Sequence, residues 1–283
     1  RTKNDYTFPF KNVCEFLSSA DITVGNLESP LLPGKNVPKD SMTYRADPSS
    51  VKGYLCAGFD LLTLANNHTM NYQVPGLTST IKALRAANIA FAGAGKNISI
   101  AHTPAIFEVK GKKVAFYAYN DKGIPPGFHG EATANEPGIA KMDTETVKND
   151  VKNALDKTGY GADYVIVSMH AGREYTATPT KFQQDFAHAA IDAGASVVIG
   201  HHPHQVQTIE NYNNGVIFYS LGNFVFDQFF SEEVQTGIIA KIVFAADGKL
   251  STEVLPIKID KTQPRILEGE EKAQVLAKLG IVQ

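Results

Sequence analysis

The sequence predicts an α/β protein built on a largely parallel sheet. Strand-length apolar runs alternate with amphipathic stretches, and glycines and prolines punctuate the chain at short intervals instead of gathering into one linker. Ile22 to Val24 and Leu61 to Ala65 read as the first two strands. Leu77, Ile81 and Leu84 keep helical spacing after Pro75 and Gly76, so a helix follows. Ile89 to Ala92 is a short strand closed by a tight turn at Gly93, and Val114 to Tyr119 is the next strand. Val147, Val151 and Leu155 mark a helix ending by Gly159; Phe182, Phe186, Ala189 and Ala190 mark another before Gly194. Tyr164 to Met169, Val197 to Ile199 and Val216 to Leu221 complete the strands. Strand then helix, repeated, implies a parallel sheet covered on both faces.

The last third changes character. Gly237 to Phe244 and Leu250 to Ile259 are joined through Asp247-Gly248, a hairpin signal that predicts antiparallel strands at the sheet edge. Glu270 to Leu279 reads as a short helix. With no repeat and no low-complexity stretch, residues 1–283 are expected to form one continuous domain. The Gly- and Pro-rich stretch from Lys122 to Lys141 is long for a connection and reads as a lid, a mobile insertion or a plain solvent loop.

Composition narrows the function. With 283 residues, 43% hydrophobic and 20% charged, the chain can bury a core, which excludes disordered, collagenous and coiled-coil classes. Lys plus Arg number 27 against 29 Asp plus Glu, so no basic field exists to hold a nucleic acid. Cys14 and Cys56 make no CxxC pair and read as buried thiols, which leaves the redox compartment open. No apolar run approaches the roughly 20 residues of a spanning helix. The chain begins at Arg1 without a methionine, so a signal peptide or anchor upstream is compatible with it and the residues leave localisation open.

The chemistry gathers at strand ends. Val24 runs into Gly25-Asn26-Leu27-Glu28, Ala65 into Asn66-Asn67-His68, Met169 into His170, Ile199 into Gly200-His201-His202-Pro203-His204, and Leu221 into Gly222-Asn223. Carboxyl ends of parallel strands form the binding edge of an open sheet, so these groups are expected to converge on one cleft. Imidazoles mixed with carboxylate and amide oxygens suit Mn, Fe or Zn and do not suit Ca or Mg. The competing reading is a set of hydrogen-bonding loop histidines. His102, His129 and His188 stand outside this pattern and receive no role. Glu174 either supports His170 or is a solvated charge. No GxxxxGK[ST] loop, complete GxGxxG or GxSxG elbow occurs, which sets aside nucleotide cradling and a serine triad.

Six ordered blocks carry a family resemblance: Asn26-Leu27-Glu28-Ser29-Pro30, Ala65-Asn66-Asn67-His68, Gly93-Ala94-Gly95-Lys96-Asn97, His170-Ala171-Gly172-Arg173-Glu174-Tyr175, Gly200-His201-His202-Pro203-His204 and Tyr219-Ser220-Leu221-Gly222-Asn223-Phe224. Running from about Asp5 to about Asp227, they resemble the CapA/PgsA family of bacterial capsule or poly-γ-glutamate synthesis proteins, in the calcineurin-like metallophosphatase superfamily. The resemblance implies a four-layer α/β/β/α sandwich with mixed sheets and a dimetal cleft, residues 228–283 adding edge strands and a C-terminal helix. It implies that Asn67, His170, His202 and His204 ligate one or two divalent ions (Mn, Fe or Zn) and that His68 protonates a leaving group.

Asn26 stands where the superfamily has a bridging Asp, so Glu28 is expected to reach the metal; Asn66 replaces a Gly. Asn26, Asn66, Glu174, His201 and Asn223 are expected in supporting or substrate-binding positions. The chain starts downstream of the superfamily's first Asp motif, so it is expected either to be a piece of a longer protein or to bind fewer ions.

Three functional readings follow. In the first, a metal-dependent hydrolase acts on phosphoesters within a capsule-synthesis role. In the second, a non-catalytic subunit binds an anionic polymer or scaffolds membrane partners of a synthesis complex. In the third, a structural α/β module carries incidental histidines. The family role ranks first, with the protein expected on the extracytoplasmic face of the bacterial cell envelope, anchored by an N-terminal segment outside this chain.

Overall fold

A computed structural model describes residues 5–34, 43–121 and 130–281. The first sheet is parallel, in the order β1 (Thr23–Asn26), β2 (Phe59–Thr63), β3 (Ala90–Ala92). A short pair, β4 (Ala94–Gly95) and β7 (Gly138–Ile139), lies beside it. The second sheet has six strands. These are β5 (Ala105–Val109), β6 (Lys112–Asn120), β8 (Tyr164–His170), β9 (Val197–His201), β10 (Ile209–Tyr212) and β11 (Gly215–Phe218), in the order β10-β11-β9-β8-β6-β5. Its four central strands are parallel and its two edge strands antiparallel. A third sheet, β12 (Thr236–Phe244), β13 (Leu250–Asp260) and β14 (Gln263–Ile266), is antiparallel.

Side-chain alternation explains the layering. On β6, Ala115, Tyr117 and Tyr119 pack with residues of α5 (Thr144–Leu155) and α6 (Lys181–Asp192), while Val114, Phe116 and Ala118 face the opposite way. Val198 and Ile217 join the helix side, and Val197, Val216 and Phe218 the other. That second face meets Leu61 and Ala92 of the first sheet and Ile238 and Val254 of the third. Leu62, on the far face of β2, packs with Leu77 and Leu84 of α3 (Gln73–Ala86). The layers are therefore helix, sheets, sheet, helices, as expected. The hairpin forms, but its strands build a separate sheet over the intersheet core instead of extending the six-stranded edge. Tyr164 stacks on Phe244 at 4.0 Å between the two, and α7 (Gly269–Lys278) closes this end with Leu276.

Two expectations are corrected. Cys14 and Cys56 form a disulfide, joining α1 (Cys14–Ser18) to α2 (Val51–Cys56) across 42 residues of sequence. The paired helices pack around Phe10, Val13, Leu17 and Ala57. Spacing alone does not reveal the bond because the partners meet only once β1 and β2 pair. The second correction concerns the Gly/Pro-rich stretch. Residues 130–141 are tied into the fold: Ala132 N–H donates to Ile139 O, Ala140 N–H to Gly93 O and Asn120 N–H to Ala140 O. A mobile insertion does not describe them, and residues 122–129, His129 included, lie outside the described residues.

Helix entries follow local chemistry. Asp143 caps α5 by accepting from the Thr146 amide, and α6 begins with a reciprocal capping box between Thr180 and Gln183. Helix α4 (Ile98–Ala101) is capped by Asn97. Gly93, at φ +84°, makes the expected turn after β3. Among the described residues, no helix is long and apolar enough to cross a membrane.

Candidate metal centre

Strand register brings the predicted groups together. Asn120, His170 and His201 are cross-strand neighbours at the carboxyl ends of β6, β8 and β9, and Asn26 stands opposite Thr63 at the ends of β1 and β2. The two sheets thus deliver their terminal loops to one edge, as open parallel sheets do. Gly200 lets β9 approach closely, because a Cβ there would run into the Tyr219 carbonyl. His202 and His204 both sit at positive φ, 99° and 59°, an arrangement stored at functional sites more often than elsewhere. Tyr175 N–H donates to the Pro203 carbonyl between them at 2.8 Å.

Glu28, His170 and His202 offer ligand atoms that all lie within 4.8 Å of one another. His170 Nε2 is 2.8 Å from Asn67 Oδ1 and 3.5 Å from Glu28 Oε1. Both oxygens are acceptors when Glu28 is ionised, so the space between them and the imidazole needs a proton, on Nε2 or on the Glu28 carboxyl, or a cation. Glu28 Oε1 is buried with no hydrogen-bond partner among the described residues. Burial pushes the Glu28 carboxyl up to about 8, and burial together with neighbouring His202 holds the His170 imidazole well below its ordinary value. A neutral imidazole, an amide oxygen and a carboxylate lacking a counter-charge fit a borderline divalent ion.

Backbone groups orient the network around this point. Asn66 Oδ1 accepts from the His68 and Thr69 amides, which turns its Nδ2 to donate to Leu27 O and Asn26 Oδ1. Asn26 Nδ2 is then free to donate to Glu28 Oε2 at 3.0 Å. Asn66 and Asn26 therefore form a relay from main chain to carboxylate. Such outer contacts fix a ligand's direction.

His204, expected as a ligand, lies outside the close group. Its ring centroid is 6.2 Å from that of His202, and its Nδ1 is 2.8 Å from Asn223 Oδ1. Because Asn223 Nδ2 donates to Val234 O, the Oδ1 assignment is fixed and His204 carries its hydrogen on Nδ1. Its Nε2 keeps a lone pair. Packing around His201 depresses that imidazole to about 4. Glu174 is exposed and contributes a repulsive field at Glu28, so it reads as a charge near the cleft and not as a held supporting group.

Residues that sequence patterns missed complete the site. Asn71 Oδ1 meets both His68 Nδ1 at 2.9 Å and the Tyr44 amide at 2.8 Å. Tyr44 stacks on His68 with centroids 3.9 Å apart. Gln183, buried, donates to Gln207 Oε1, and Gln207 donates to the Thr176 and Thr178 carbonyls, tying down the loop that carries Glu174 and Tyr175. The amides three residues after His68 and after His204, Asn71 and Gln207, were readable local signals; Tyr44 reaches the site from distant sequence and offered none.

The family model described as bacterial capsule synthesis protein PGA_cap matches residues 1–228. The chain is 34% identical to the capsule biosynthesis protein CapA of Bacillus anthracis and 34% identical to the PGA biosynthesis protein CapA of Bacillus subtilis, over 94% of this chain in each case. It spans 64% and 68% of those proteins' lengths, about two thirds of the relatives it matches. A probable polyglutamine synthesis accessory protein of Mycobacterium tuberculosis is 27% identical over 91% of this chain and 71% of its own. A crystal structure of a hypothetical protein from Thermus thermophilus superimposes with a TM-score of 0.56 at 15% identity. The match covers 90% of this chain and 95% of that one, which establishes a shared fold.

Proposed function

The chain belongs to the bacterial capsule synthesis protein family PGA_cap, and from that premise we propose that it is the metal-binding part of a capsule or poly-γ-glutamate synthesis apparatus whose cleft acts on a phosphoester. The observation that carries the reading is the meeting of Glu28 Oε1, His170 Nε2 and Asn67 Oδ1, where Glu28 Oε1 has no hydrogen-bond partner among the described residues, with His202 alongside. Glu28, Asn67, His170 and His202 would hold one divalent ion, Mn, Fe or Zn. When bound, such an ion polarises a phosphoryl oxygen and acidifies a coordinated water.

The chain's own residues do the rest. Asn26 and Asn66 aim the Glu28 carboxylate. Asn71 holds one His68 hydrogen on Nδ1, so the second proton of the imidazolium form would sit on Nε2 and pass from there to a leaving oxygen, returning the ring to its neutral Nδ1–H form. Burial holds the His68 pKa below its ordinary value, which makes its protonated form a stronger acid. Tyr44, stacked on the ring, fixes its plane.

The Cys14–Cys56 disulfide supports a place on the extracytoplasmic face of the cell envelope, where such bonds persist. The relatives' names, biosynthesis proteins and a synthesis accessory protein, support work within a synthesis apparatus. One observation favours a second reading, a polymer-binding or scaffolding subunit without turnover: the described residues hold a single group of three His and Glu donors, enough for one ion.

Elemental analysis of protein purified without chelator, alongside His170→Ala, tests the metal. A metal-stimulated phosphoesterase panel tests the activity. Stoichiometric metal that disappears in the variant, with turnover in the wild type, is the expected result. Metal without turnover moves the protein to the scaffolding reading, and failure to bind metal even after soaking removes the proposal.

A further inference from the structure

A run of rings leads from the cleft to the surface. Tyr44 stacks on His68, Phe226 meets Tyr44 edge-on at 6.0 Å and His204 at 5.2 Å, Tyr175 stacks on His204 at 5.7 Å, and Phe230 meets Tyr175 at 5.2 Å. The outer end of the run is uncovered: Tyr175 is 41% exposed and Phe230 65%. Side-chain hydrogen bonds hold it in place. Gln228 Nε2 donates to the Tyr175 hydroxyl, and Gln228 Oε1 accepts from Asn223, the residue that orients His204.

Carboxylates accompany the rings. Glu174 precedes Tyr175 and Asp227 follows Phe226 in sequence, and both act on the Tyr44 phenol, which burial first and then Glu28, Tyr175, Glu174 and Asp227 push up to about 12. The rim is thus aromatic and negative at once. Aromatic faces carry negative quadrupole potential, and with carboxylates beside them they favour an organic cation over a neutral or anionic group.

We infer that the rim formed by Tyr44, Phe226 and Tyr175, with Glu174 and Asp227, is a subsite for an alkylammonium group, so that the favoured ligand of the cleft is a phosphoester whose other end is cationic. The phosphoester half rests on the proposed function above; the ammonium half rests on the rim alone.

The test titrates metal-loaded protein with four probes. Inorganic phosphate reports the metal cleft by itself. Phosphocholine adds the cation, 3,3-dimethylbutyl phosphate replaces its nitrogen by carbon at the same shape, and glucose 6-phosphate offers a polyhydroxylated ring. Phosphocholine is expected to bind roughly 3- to 30-fold more tightly than its neutral isostere. Tyr175→Leu and Phe226→Leu, checked for wild-type metal content and melting temperature, are expected to erase that ratio while leaving inorganic phosphate affinity in place. Equal affinity for the isostere overturns the inference, because the rim is then merely apolar. Tightest binding of glucose 6-phosphate also overturns it, in favour of a sugar. If inorganic phosphate does not bind, the phosphoester reading fails, and choline alone decides the subsite: binding lost in Phe226→Leu sustains the ammonium site, and no binding ends it.

Discussion

The His68 ring and the Tyr44 backbone amide share one acceptor, Asn71 Oδ1, at 2.9 and 2.8 Å. An amide N–H can only donate, so the Asn71 atom is an oxygen, and the His68 nitrogen facing it must carry the hydrogen. Long-range proton–nitrogen NMR is therefore expected to report His68 as the Nδ1–H tautomer in wild-type protein and a mixture in Asn71→Ala. The substitution leaves a buried amide and a buried imidazole without their partner, at a cost of about 1–3 kcal/mol. An Nε2–H tautomer in the wild type would contradict the assignment.

The relay from Asn66 through Asn26 to Glu28 makes a separate prediction. Asn26→Ala removes a donor to the carboxylate without touching a ligand atom, and is expected to weaken metal affinity roughly 10- to 100-fold. Glu28→Ala, which deletes the ligand, is expected to abolish stoichiometric binding. Calorimetric titration distinguishes the two, and an Asn26→Ala protein with wild-type affinity would mean that Glu28 needs no guide.

Thiol titration of unfolded, unreduced protein is expected to find no free cysteine. Replacing Cys14 and Cys56 by serine opens a closure spanning 42 residues and is expected to cost about 2–4 kcal/mol in denaturant unfolding. Equal stability of the double variant and the oxidised wild type would contradict this.

Asp143 gives a pH test remote from the cleft. The Thr146 amide, with the Thr146 hydroxyl, holds its carboxyl below the ordinary 3.8. A depressed folded value stabilises above the unfolded pKa and is lost as pH falls through the folded one. Asp143→Ala is thus expected to cost about 1 kcal/mol near pH 6. The difference from wild type should close below about pH 4. A gap that persists unchanged to about pH 2 would mean that the ionised cap is not its source.

Strand ends were legible in the sequence because burial on both faces leaves a mainly apolar run, as on β8 with only Ser168 inside it, and because the polar residue that ends the run is the functional one, His170. The convergence of Glu28, Asn67, His170 and His202 followed from that rule. The Tyr44–His68 stack, the Cys14–Cys56 bond and the Gln183–Gln207 contact did not, since each joins side chains that meet only after the sheets assemble. The hairpin was legible from Asp247-Gly248, whereas its place over the core depended on which face of β12 carried Ile238 and Ile242. His204 lies farther from the close group than its motif implies because Asn223, nineteen residues on, draws its Nδ1 away.

The family match stops at residue 228, yet Asn223 Nδ2 donates to Val234 O and the Ile238 amide donates to Leu221 O. A fragment cut at that limit would keep every predicted ligand and lose the Val234 carbonyl, one of the two acceptors that turn Asn223 toward His204. Expression boundaries drawn from similarity alone would therefore leave the Asn223 amide held only by Gln228, the last residue of such a fragment, so residues past 228 belong to the cleft's working unit.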